Sequence, residues 1–317
     1  MIIEDIILRR ILDSRGNPTV EADVRTSSGL GRAAAPAGAS TGTHEVQAWP
    51  EGGVTAAIEL ARQDVVPQLL GLSAEEQAQV DALLHEVDGT SNFSRIGGNL
   101  AVAISLATAR AAAASQGVPL YRYLAADGRT PTLPVPMFNI LNGGRHAEDS
   151  TDFQEFMVIP TGFETYNESL RAGAEIYHNL KKILQQRGKT TIVGDEGGFA
   201  PSLKNNRQAL EWLLSAIEGA GYIPGTHCYI AIDVAATELQ KIDPAKTDEF
   251  YYDLTSIDTI MTSDQLISVY DDWTQKYPLI SIEDGMSETD WTGWENMTSK
   301  LGHKVQIVGD DLYATNT

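Results

Sequence analysis

An alternation that begins near residue 131 constrains this chain most: short, largely apolar runs are separated by long stretches with helical hydrophobic spacing. The runs are PVPMFNILN, FQEFMVIP, TIVGDEG, CYIAIDVA, PLISIEDG and VQIVGDDL. The helical stretches fall near 164–187, 203–220, 262–276 and 287–300. Apolar strands divided by amphipathic helices favour a parallel sheet covered on both faces, and a (β/α)8 TIM-like barrel satisfies that pattern best. About six of the eight strands are present, and the region is shorter than the ~250 residues of a complete barrel. The expectation is a barrel that is incomplete at the C-terminus.

The first third reads differently. Residues 4–36 hold extended runs separated by SRGN and SSG turn clusters, as in a β-meander. From Val54 the spacing turns helical; Ser73 with Glu76 reads as a helix start, and Gly117 as the stop of an Ala-rich helix. The chain therefore divides into an α+β N-terminal domain, 1–128, and a barrel domain, 129–317, joined near ADGRTPTLP.

Charge narrows the function classes. Lysine and arginine total 23 against 43 aspartates and glutamates, a net charge of −20. A field of that sign repels nucleic acids and anionic membranes, and an anionic substrate would need a local cationic trap, which a bound metal supplies. No apolar run approaches the ~20 residues of a membrane span, and the N-terminal apolar stretch is broken by Glu4, Asp5, Arg9 and Arg10, unlike a signal peptide. Cys228 is the only cysteine, which excludes an internal disulfide and suits a reducing, cytoplasmic compartment.

Three of the apolar runs end in acids: Asp233 in AIDVA, Glu283 in SIEDG and Asp310 in VGDDL. Strand C-termini converge at the end of a barrel where active sites sit. Any one of these acids alone reads as a turn or cap residue. Recurrence at the same strand position favours a shared site, in which three like charges require a cation; Mg²⁺ suits hard oxygen ligands. Glu155 and Glu196 fall on the same face, the latter before two glycines, and a carboxylate pair in such a place can share a proton. GASTG, with Ser40, has the small residues of a mobile loop, and His146 follows a strand and two glycines.

In order and spacing, LDSRGNPTVEADV, PAGASTG, FNILNGGRHA, DFQEFMVIP, VGDEGGFAP, AIDVAATE, PLISIEDG and VQIVGDDLYATNT resemble the signatures of the enolase family, from about residue 3 to residue 317. The resemblance implies reversible dehydration of 2-phosphoglycerate to phosphoenolpyruvate in glycolysis and gluconeogenesis, two Mg²⁺ ions, a homodimer, and a barrel that opens with an antiparallel strand pair. It implies that Asp233, Glu283 and Asp310 hold the first Mg²⁺, with Glu283 and Asp310 also near the substrate, and that Ser40 helps hold a second, substrate-bridging ion. By the same resemblance Glu196 is the general acid, assisted by Glu155, while His146 and Gln154 contact the substrate. The family's proton-abstracting lysine lies on the strand after VGDDL, where this sequence offers no residue. The chain is therefore expected to be a truncated form, inactive alone. A non-catalytic, enolase-like binding or scaffold protein is the alternative.

Overall fold

The N-terminal runs fold back on themselves twice: β1 (Ile3–Leu12), β2 (Pro18–Thr26) and β3 (Leu30–Ala34) form an antiparallel sheet in the order β1-β2-β3. The computed structural model describes residues 1–38, 41–125, 129–144, 150–194, 196–241 and 249–315. Helices α1 (Gly53–Leu60), α2 (Val66–Leu69), α3 (Gln77–Asp88), α4 (Gly98–Ser115) and α5 (Leu120–Tyr123) follow, with a π-turn at Ala61–Val65. The alanines of α4 let the helix lie close against the sheet: a Cβ on Gly31 would stand 1.9 Å from the Ala107 carbonyl oxygen. Gly117, at φ +67, ends this region as a helix stop. The expected cap at Ser73 is not one. α3 starts four residues later with Glu76 at its N-cap, because Ser73 closes a tight turn through its carbonyl to the Glu76 N–H. These elements make one unit, Met1–Gly38 with Glu45–Thr132.

The second unit, Ala39–His44 with Leu133–Thr317, contains β4 (Phe138–Asn142), β5 (Glu155–Ile159), α6 (Tyr166–Gln186), α7 (Asn206–Gly219), β6 (Tyr229–Asp233) and α8 (Ala236–Leu239). It continues through β7 (Gln240–Lys241), β8 (Tyr251–Leu254), β9 (Thr259–Thr262), α9 (Ser263–Lys276), β10 (Leu279–Glu283), α10 (Trp291–Leu301), β11 (Gln306–Val308) and α11 (Asp310–Tyr313). The main sheet runs β11-β10-β6-β5-β4 and is open. The barrel pairs β6, β10 and β11 in parallel, whereas β5 is antiparallel to both β4 and β6. The uniformly parallel sheet expected from alternation alone is thus corrected, in the direction the resemblance implies. Among its described residues the run TIVGDEG forms no strand: Val193 and Phe199 form isolated bridges, Val193 to Phe199 and Phe199 to Leu141 of β4. The small sheet β7-β8-β9 was not foreseen; its strands are short and mixed in polarity.

Hydrophobic burial explains which face is which. Phe156, Val158, Ile230, Ile232 and Ile282 point toward the helices and join the main core with Ile176, Leu180, Leu213 and Trp273. The alternate residues Met157, Ile159 and Ala231 form a small separate cluster on the other, inner face. With period-two alternation, Glu155, Asp233 and Glu283 belong to that inner face. Their acidity would be intolerable on the helix-packed side.

Candidate active site at a row of carboxylates

Strand register assembles the site. Asn142 pairs with Glu155, Glu155 with Asp233, Asp233 with Glu283, and Glu283 with Val308. Residues paired across neighbouring strands project from the same face, so one row crosses five strands and carries three acids. The inversion of β5 is what makes this work: its first residue, not its last, lies level with the C-terminal ends of β6 and β10. Asp310 begins α11 two residues beyond Val308, and its charge is among those that raise the Glu283 carboxyl.

Asp233 is 9% exposed. Its Oδ1 accepts the Ala235 N–H at 2.9 Å, and its Oδ2 accepts from Gln154 Nε2 at 3.4 Å. Burial, followed by the charges of Glu283, Glu155 and Asp284, pushes its carboxyl well above the usual range. Burial, then Asp284, Asp310, Glu155 and Asp311, pushes Glu283 up to about 7. Asp284 is pushed up to about 6, by burial first. Its carboxylate accepts the N–H groups of Asp310 and Asp311, each at 3.0 Å, and so caps α11. Among the described residues no lysine or arginine pairs with Asp233, Glu283 or Asp310; Lys241, Lys276 and Lys304 pair with Asp253, Asp272 and Asp271.

The other expected residues fare unevenly. Gln154 precedes the row and touches Asp233. Glu196 is exposed, and Phe199, three residues on, is stitched to the end of β4 by the Asn142 N–H to the Phe199 carbonyl at 2.8 Å and the Phe199 N–H to the Ile140 carbonyl at 3.0 Å. His146 and Ser40 lie outside the described residues. Thr43, three positions after Ser40 in the sequence, donates through both its N–H (3.0 Å) and its hydroxyl to the Glu288 carboxylate, which is 5% exposed. Sequence reasoning missed Asp284, Asp311 and Glu288, although the doubled acids in SIEDG and VGDDL were a visible signal.

The donors suit Mg²⁺ in kind: Asp233, Glu283 and Asp310 offer hard carboxylate oxygens, and beyond burial the charge of Glu283 raises the Asp233 carboxyl and that of Asp310 raises Glu283. Among the described residues no three acids, histidines or cysteines stand close enough to form a ligand shell, so no coordination geometry follows. Among the same residues no helix is long and apolar enough to cross a membrane. The lone cysteine, Cys228, is buried in the core with its thiol pushed up to about 12, which makes it unreactive.

Comparison with known families completes the assignment. Residues 3–124 match the family described as "Enolase, N-terminal domain", and residues 130–317 match "Enolase, C-terminal TIM barrel domain". Together the matches cover both units, and the second alone covers more than half of the chain, so the protein belongs to the enolase family.

Proposed function

We propose that the protein is a phosphopyruvate hydratase, acting in glycolysis and gluconeogenesis in the cytoplasm as a homodimer. The observation that carries this reading is the in-register row Glu155–Asp233–Glu283 on the inner face of the sheet. Asp233, Glu283 and Asp310 would hold one Mg²⁺, and Ser40 would help hold a second. When bound, these ions supply the positive charge that an enolised carboxylate needs.

The chain's own residues account for the second half of the reaction. Loss of the C3 hydroxyl requires an acid on its side of the substrate. Glu196 takes that role, assisted by Glu155 at the start of β5. Gln154 and His146 orient the substrate.

In the intact protein Glu196→Gln should abolish dehydration while leaving deuterium exchange at C2 measurable. Equal loss of both steps would remove Glu196 from the acid role. Failure of the intact protein to form phosphoenolpyruvate in the presence of Mg²⁺ would overturn the functional reading itself.

A further inference from the structure

The small sheet β7-β8-β9 takes no part in the acidic row, and one of its edges is open. β9 pairs with β8 alone, Tyr252 with Met261 and Asp253 with Ile260. Antiparallel ladders draw on alternate residues. The Thr262 N–H leaves the ladder for Gln265 Oε1, at 2.9 Å, so Ile260, two residues earlier, turns its N–H and C=O to the same open side. The Ile260 side chain is 59% exposed. Proteins usually guard such an edge with a charge or a proline on the strand, and TIMT carries neither.

A groove borders this edge. A cavity of about 360 Å³ lies between β9 and the first turns of α9, lined by Thr259, Ile260, Met261, Asp264, Gln265 and Ser268. Asp264 also lines a second cavity, of about 310 Å³, together with Glu249 and Asp290. Asp290 is spent on Tyr252 and Ser263. Asp264 is exposed, and among the described residues its carboxylate meets Asn296 Nδ2 at 3.5 Å. No lysine or arginine lines either cavity; Lys300 reaches Ser268 Oγ, at 3.4 Å, on the rim of the first.

We propose that the open edge of β9 docks an extended, positively charged segment of another protein, which adds to the small sheet as a fourth strand. Ile260 supplies the main-chain hydrogen bonds, alternate apolar side chains of the segment enter the cavity beside α9, and its lysine or arginine side chains meet Asp264 and Glu249. The charge of the groove selects this occupant. A second copy of the chain is the poorer fit, because it would bring the same acids to both sides of the contact.

The test is the fluorescence anisotropy of a labelled seven-residue peptide of alternating lysine and valine, titrated with the intact protein at low salt. Saturable binding is expected. The same peptide N-methylated at its valines should bind about tenfold more weakly, as for one lost main-chain bond. Asp264→Asn should weaken binding about threefold. Ile260→Pro, which removes the edge N–H, should weaken it at least as much as N-methylation does, with the melting temperature unchanged. Hydrogen exchange at the Ile260 amide should slow when the peptide is bound. Absence of saturable binding overturns the proposal, as does equal binding of the N-methylated peptide or of a glutamate–valine counterpart; these comparisons require no variant to fold. An Ile260 amide that exchanges equally with and without peptide also overturns it. So does protection of Ile260 by raised protein concentration alone with formation of a dimer, which would give the edge to a second copy.

Discussion

The acidic row should destabilise the protein until a cation occupies it, and Glu283→Gln measures that cost. The Glu283 carboxyl is raised from 4.5 to about 7. At 1.36 kcal/mol per pH unit, the ionised form costs the folded state at most about 3 kcal/mol. Half-burial and solvent screening reduce the usable figure to ~1–2 kcal/mol. The sign follows from linkage: a carboxyl raised on folding binds more protons in the native than in the unfolded state. The penalty is therefore absent below its ordinary range, grows as pH rises from 4.5 to about 7, and is full above that. Glutamine keeps the shape and removes the charge. For a unit of this size, thermal unfolding followed by circular dichroism should show the variant melting roughly 3–8 °C higher at about pH 8. At about pH 5 the gain should be small. Millimolar Mg²⁺ should stabilise the unmodified protein more than the variant and so close the gap. A variant that melts lower at about pH 8, or gains equally at both pH values, would refute the reasoning.

Two further outcomes follow from buried charges elsewhere. Asp152, which is 8% exposed, accepts from Asn206 Nδ2 at 3.1 Å, the Ser256 N–H at 2.9 Å and the Ser256 hydroxyl, just before Gln154 and Glu155; Asp152→Ala strands these donors and should cost about 2–4 kcal/mol in urea unfolding, with Asp152→Asn intermediate. In the N-terminal unit, Arg32 and then Arg9 hold the Asp23 carboxyl far below its ordinary value of 3.8. The stability from this pairing is present above that ordinary value and fades as pH falls, so Asp23→Asn should weaken the protein at neutral pH and converge with the unmodified chain in strong acid; a constant difference across pH would contradict the pairing.

Much of the fold was legible because hydrophobic spacing reports burial. The meander, the Ala-rich helix and the strands that carry Glu155, Asp233 and Glu283 all follow from it. Strand direction was not legible, since a buried apolar strand such as EFMVI reads the same either way; only the resemblance to a family supplied the antiparallel start. TIVGDEG misled because β-branched residues beside a Gly-Gly turn suit a bridge as well as a strand. Asp233 and Glu283 were readable as strand-end carboxylates, whereas Asp310, read as the third, begins α11 beyond the end of β11, and Glu155 joins the row from the start of its strand.

The account stands on the claim that Asp233, Glu283 and Asp310 gather around a divalent cation. Anomalous diffraction from crystals of the intact protein soaked in Mn²⁺ tests it directly. A strong manganese peak within ligating distance of these three carboxylates is the predicted result. A peak at another group of residues, with these three acids left without metal, would contradict it.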